Sequence, residues 1–283
     1  MTYIEERTVH RSGIVSVRDV RCRCPAGGHA PAECSSATQA IIPRRGYFQC
    51  ESQGRLRPAD PNQALLFRRG DEFRMHHPAP GGDDCLALAV DDGTWERAMG
   101  ARPASERAAT LSPETQLAGL GLLSALTAGR LSGLERDAAS LHLLGLLSRD
   151  VGTPVDASQR RSRETARRTV ARATAYLAAH VDRGATLAEV SAAAHCSPYH
   201  LTTLFRRITG LPLHRYHLRW RLLLAFERIG RGERRLLDVA LEFGFSSASH
   251  FSNAVRATFG APPSRLAASL VAGGRQARKI PQA

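Results

Sequence analysis

Lysine is all but missing from this chain, which carries one Lys against 38 Arg in 283 residues. A GC-rich genome produces that preference, so the choice of Arg over Lys has no functional meaning by itself. No uninterrupted apolar run approaches the ~20 residues of a membrane span, and the opening MTYIEERTVHRSG lacks the apolar centre of a signal peptide. The expected location is therefore the cytoplasm. Six cysteines are too few for a disulfide scaffold at this length, and without export they are expected to be reduced. The chain also lacks a G-x-x-x-x-G-K phosphate cradle, a G-x-S-x-G nucleophile elbow and an H-E-x-x-H zinc helix. These absences leave catalysis without support, and no enzymatic activity is expected.

What is present is unevenly distributed. Residues 1–157 hold 18 Arg against 19 acids, a net of −1, whereas residues 158–283 hold 20 Arg and one Lys against 7 acids, a net of +14. Codon bias acts on both halves alike and cannot produce this split. A basic half beside a neutral one points to a polyanion partner, because neutralising phosphates and releasing their counterions drives nucleic-acid affinity. The length suits about two domains.

The basic half contains an internal repeat. Thr186–Pro212 and Leu236–Pro262, laid over one another at an offset of fifty, pair Leu187 with Leu237, Ser197 with Ser247, His200 with His250, Arg206 with Arg256 and Gly210 with Gly260. Each copy reads as a short helix, a turn, a Ser placed to cap a second helix, and a stop at Gly210 or Gly260 with a proline two residues on. Pro198 suits a first helical position, and Gly244 suits a left-handed turn. In the second helices one face is apolar: Leu201, Leu204, Phe205 and Ile208, then Phe251, Ala254, Val255 and Phe259. The other face carries Tyr199, His200, Thr202, Thr203 and Arg206 in one copy, and Ser249, His250, Ser252, Asn253 and Arg256 in the other. Any solvated face is polar, but two copies in phase, joined by an amphipathic helix from Leu213 to Ile229, are suited to successive major grooves of double-stranded DNA. Ser197 and Ser247 complete the candidate DNA-binding set. Arg161, Arg167, Arg219 and Arg221 are candidates for phosphate contacts or internal ion pairs.

On these residues the chain resembles the AraC/XylS family of bacterial transcription regulators. The pattern runs from Leu187-Ala188 through Ser197, Leu201, Phe205-Arg206, Gly210 and Pro212, takes in Arg221 and Ala225, and continues from Ala240 through Gly244-Phe245 to Gly260 and Pro263. The likeness covers about 171–270. His250 precedes Phe251 where that family commonly has Tyr or His, and Val255 replaces a usual Phe; neither change disturbs the fold. The resemblance implies a sequence-specific regulator of activator type, with an operator, a small-molecule effector, RNA polymerase and a second copy of the chain as partners.

In the neutral half, residues 8–90 read as short strands: Gly13–Arg21, Thr38–Pro43, Gly46–Glu51, Gln63–Phe67, Glu72–His76 and Cys85–Val90, bounded by Gly, Pro, Asp and Asn. Pro43–Phe48, Asp60–Ala64, His77-Pro78 and Gly81–Asp83 resemble the cupin-like sensor half that precedes many such regulators. Leucine stripes then mark two antiparallel helices, Pro113–Ala128 and Leu134–Arg149; such stripes read as core, and the resemblance adds a dimer interface as a second reading. The expected fold class is thus multidomain α+β: a cupin-like barrel (1–110), a helix pair (111–150), a flexible linker (151–162), a double helix-turn-helix domain (163–272) and a disordered tail (273–283).

Cys22, Cys24, His29 and Cys34 crowd one stretch, with Cys50, His76, His77 and Cys85 farther along the same strands. Thiolates and imidazoles hold Zn²⁺ or another soft metal, and Cys22, His77 and Cys85 are the candidate ligands that barrel strands bring together. The spacing is no standard zinc finger, and buried cysteines also serve as small apolar residues. Two other readings of a metal-bearing barrel, an oxygenase and a DNA-repair methyl acceptor fused to a DNA-binding domain, want a His-x-His with a following Glu and a Pro-Cys-His-Arg motif respectively. The chain has neither.

Overall fold

The alternation Val15, Val17 against Ser16, Arg18 is the period-two pattern of a strand with two different faces, and the computed structural model bears it out in an N-terminal half with ten strands among the described residues. The structure describes residues 3–25, 27, 31–78, 81–100, 108–151, 160–231 and 235–272. The strands are β1 (Ile4–Arg11), β2 (Val15–Cys22), β3 (Glu33–Cys34), β4 (Thr38–Arg45), β5 (Phe48–Ser52), β6 (Arg55–Ala59), β7 (Gln63–Phe67), β8 (Glu72–His76), β9 (Asp83–Val90) and β10 (Ala108–Thr110). They form two sheets of order β1-β2-β9-β4-β7-β10 and β3-β8-β5-β6, with every pairing antiparallel. β1, β3, β6 and β10 are absent from the strands expected from sequence, and they are the four sheet edges. β1 is exposed over most of its length, so nothing imposes an apolar alternation on it; Ala108–Thr110, expected as connector, pairs with β7.

Side chains of the larger sheet divide by parity. Val15, Val17, Ile42, Leu86 and Leu88 pack outward against α1 (Asp92–Met99), α2 (Pro113–Thr127) and α3 (Gly133–Asp150). Cys85 and Ile41 face the interior between the sheets, together with Phe48, Cys50 and Phe67. Of the leucines in the helix pair, Leu123, Leu126, Leu144 and Leu147 are core, and Leu117 and Leu120 pack against the C-terminal half. Leu134 stays 82% exposed.

The C-terminal half is helical: α4 (Arg160–Ala179), α5 (Leu187–Ala193), α6 (Pro198–Thr209), α7 (Leu213–Gly230), α8 (Leu236–Glu242), α9 (Ala248–Phe259) and α10 (Pro263–Ala272). Two cores flank α7. One gathers Val170, Leu177, Val190, Phe205 and Trp220; the other gathers Phe226, Val239, Phe245, Phe251 and Val255. α7 differs from the expected amphipathic helix in being buried on nearly all sides, Arg219, Arg221 and Glu227 included. Its remaining face is covered by the N-terminal half.

The two halves are in contact; most of the expected linker (152–159) and the expected tail (273–283) lie outside the described residues. Tyr47 enters the first helical core and donates its hydroxyl to the Ala171 carbonyl at 2.9 Å. Arg44 bridges Asp19 and Glu227 in full burial. Arg219, by sequence a candidate for a phosphate contact or an internal ion pair, turns inward and donates to the Leu111 carbonyl and to Gln116. Thr110 donates to the Thr209 carbonyl at 2.9 Å. Charged groups taken out of water are tolerated only when paired and hydrogen-bonded in this way.

A candidate nucleic-acid interface

The caps expected from sequence form. Ser197 Oγ accepts from the His200 amide at 3.2 Å, and Ser247 Oγ from the His250 amide at 3.1 Å. Pro198 opens α6, while Gly210 and Gly260 end α6 and α9 in the left-handed region at φ 77° and 74°. Each serine thus accepts one amide at a helix start and keeps its O–H donor and a second lone pair for a further partner.

The two copies are not related by one offset throughout. α6 and α9 match at fifty residues, as expected, but α5 and α8 match at forty-nine, so Val190 and Ser191 correspond to Val239 and Ala240. The expected pairing of Leu187 with Leu237 is one residue out of register, and Leu237 is 48% exposed. The difference sits in the turn. The first turn takes its left-handed residue at His195 (φ 55°) and reaches Ser197 two residues later; the second takes it at Gly244 (φ 71°) and needs three. Gly244 is required for a further reason, since a Cβ there would lie 2.9 Å from the Asp182 carbonyl oxygen. Arg221 pins this turn by donating to the Phe243 carbonyl at 2.6 Å and lying 4.5 Å over the Phe245 ring.

Tyr199 (83% exposed), His200, Thr202, Thr203 and Arg206 all face solvent on α6, as do Ser249, His250, Asn253 and Arg256 on α9; Ser252 is half-buried. Thr202 and Thr203 donate to the Tyr199 carbonyl at 2.9 and 3.1 Å, which leaves their methyl groups and oxygen lone pairs outward. His250 lies edge-on to Phe245 and has Nδ1 3.2 Å from the Ser246 hydroxyl, so its ring is held in place. Arg206 and Arg256 form no ion pair among the described residues. Beside α6 a groove of about 640 Å³ is lined by Thr202, Thr203, Arg206, Arg207 and His214. Arg207 and His214 were not among the residues singled out from sequence; their signal would have been basic side chains flanking the recognition face.

In the other half, the structure brings Cys22 and His77 together but substitutes Cys24 for Cys85 in the group. Cys85 points its thiol at Asp83 Oδ2, 3.1 Å away, and burial pushes that thiol well up from its ordinary value. His77 Nε2 is 2.8 Å from Asp83 Oδ1. All of these groups line a cavity of about 210 Å³ between the sheets.

Two short-turn helix pairs around a shared buried helix, with polar faces outward on the second helix of each, define a double helix-turn-helix protein. A profile described as "Helix-turn-helix domain" matches residues 190–269. The chain is 31% identical over 90 residues to the regulatory protein SoxS of Escherichia coli (strain K12), covering 32% of this chain and 84% of SoxS. It is 37% identical over 90 residues to the probable transcriptional regulator LumQ of Photobacterium leiognathi, covering 32% of this chain and 36% of LumQ. The chain belongs to the AraC/XylS family of transcription regulators. It spans about a third of LumQ and 29% of PocR of Salmonella typhimurium. Among solved structures, ToxT of Vibrio cholerae O395 aligns over 95% of this chain and 99% of its own at 10% identity, with a TM-score of 0.37.

Proposed function

We propose that the chain is a sequence-specific, effector-responsive transcription regulator that reads promoter DNA with α6 and α9. The observation that carries the reading is the burial of α7 between the two helix-turn-helix cores, which fixes two exposed polar helix faces relative to one another. In this reading Tyr199, His200, Thr202, Thr203 and Arg206 meet one major groove, and Ser249, His250, Ser252, Asn253 and Arg256 the next, about 34 Å along the duplex. Residues 163–272 are then the reader, 1–110 a sensor whose cavity takes a small molecule, and 111–150 the brace between them. A homodimer and RNA polymerase are the expected protein partners, and the cytoplasm the place of action. No helix of the described residues is long and apolar enough to cross a membrane. Selection of the full-length protein against random-sequence duplex tests the proposal. The expected product is two conserved elements about one helical turn apart, bound with an affinity that falls steeply as salt rises. Recovery of no preferred sequence would refute it.

A further inference from the structure

We propose that Cys22, Cys24 and His77 form a site for a soft divalent metal, zinc by its donor set, in the wall of the barrel cavity. One ligand atom from each of the three lies within 4.8 Å of the others. Donors around a tetrahedral zinc, at about 2.3 Å for sulfur and about 2.0 Å for nitrogen, sit roughly 3.3–3.8 Å apart. The set is thus within a side-chain rotation of closing; the two sulfurs, now 2.8 Å apart, open by about 1 Å, and Cys24 is the less buried of the pair. Two thiolates and a neutral imidazole balance the charge of Zn²⁺, and thiolate sulfur selects zinc over calcium or magnesium.

The surroundings support the site beyond the three donors. A histidine that ligates a metal through one ring nitrogen characteristically donates the other N–H to a carboxylate, and Asp83 stands in that position at 2.8 Å from His77 Nε2. The backbone holds the ligands in place. Cys22 is paired with Asp83 across β2 and β9, and the Gly27 amide, just beyond Cys24, donates to the His77 carbonyl at 2.9 Å. Gly82, at φ 63°, lets its loop press onto β2; a Cβ there would fall 2.0 Å from the Cys22 carbonyl oxygen. Phe48, Phe67, Phe73 and Met75 line the same cavity and supply an apolar shell that strengthens charge interactions at the donors.

Titrating the reduced full-length protein with Co²⁺, then displacing it with Zn²⁺, tests the site without DNA, so its failure leaves the proposed function untouched. The expected result is stoichiometric uptake with a thiolate-to-cobalt charge-transfer band, and protection of two of the six thiols from alkylation when zinc is present. Cys22→Ser and Cys24→Ser each remove part of that band, Asp83→Asn weakens binding roughly 10- to 100-fold, and Cys85→Ser leaves it in place. Absence of the band in wild-type protein, its survival in the Cys22→Ser/Cys24→Ser double variant, or isolation of a Cys22–Cys24 disulfide from reducing buffer would each overturn the proposal. The wild-type titration decides the matter even if a variant fails to fold.

Discussion

Tyr216 of α7 donates its hydroxyl to Asp60 Oδ2 at 2.5 Å, and neither side chain reaches solvent. The pair joins the barrel to the helix that both helix-turn-helix units share. Asp60 also accepts from the Asn62 amide at 2.8 Å, and Asn62 Nδ2 donates to the Tyr216 carbonyl. Burial pushes the Asp60 carboxyl up to about 6 even though the Tyr216 and Asn62 hydrogen bonds pull it down. Tyr216→Phe therefore strands a buried acceptor, and the expected loss is about 2–3 kcal/mol of unfolding free energy in urea. A loss below about 0.5 kcal/mol would mean that water replaces the hydroxyl.

The Asp19–Arg44–Glu227 bridge makes a different prediction, because removing its centre leaves two carboxylates at the interface with, among the described residues, only Arg21 and Arg231 paired to them. Arg44→Met should destabilise the protein by about 3–5 kcal/mol. The apolar triple replacement Asp19→Leu/Arg44→Met/Glu227→Leu should recover much of that loss, since packed apolar groups avoid the desolvation cost of buried charge. Denaturation midpoints of the two variants check this. A triple variant weaker than Arg44→Met would count against it.

Acid should act on the reader through His217. Burial, helped by the nearby Arg221 charge, lowers this imidazole from 6.5 to about 4, and its Nε2 has no hydrogen-bond partner among the described residues. The unfolded chain takes up the proton first as pH falls. The stability contributed by the neutral ring is therefore complete above about pH 6.5 and is lost as pH drops toward 4, by up to about 3 kcal/mol. Asp60 runs the other way: its raised value makes its contribution complete below about pH 3.8 and lost as pH rises through about 6. The measurement is thus the difference between wild-type and His217→Gln stability across this range. A flat difference would show that His217 is not held neutral.

On DNA, Arg206→Ala and Asn253→Ala should each cost ~1–3 kcal/mol on the selected sequence while leaving binding to random duplex nearly unchanged. Equal losses on both would identify these side chains as phosphate contacts. The comparison needs only competition titrations at fixed salt.

Ser197→Ala and Ser247→Ala separate capping from reading. Each should lower stability by ~1 kcal/mol through the lost cap, with affinity falling on selected and random DNA alike. A loss confined to the selected sequence would give the serines a reading role.

What the sequence determined by itself was whatever is set by neighbours along the chain. Pro198, the capping serines and the left-handed glycines at 210, 244 and 260 specify helix starts and stops through their own backbone chemistry, so the helix-turn-helix pairs, their polar faces and the family likeness were legible in order. The central strands of both sheets were legible too, because burial imposes a pattern on them. The edge strands β1, β3, β6 and β10 were not: β3 and β10 gain their partners from β8 and β7, distant in sequence, whereas β1 and β6 are hairpin partners of β2 and β5 but carry little apolar alternation of their own. The one-residue slip between the repeats was hidden because either Leu236 or Leu237 fits an apolar period, and only the packing of Val239 and Ala240 chooses. Tertiary structure alone decided that Arg219 and Arg221 turn inward, that Cys24 and not Cys85 joins Cys22 and His77, and that barrel and reader share buried contacts. Each of these depends on which distant backbone supplies a carbonyl, a carboxylate or a close approach, and local sequence holds no record of that.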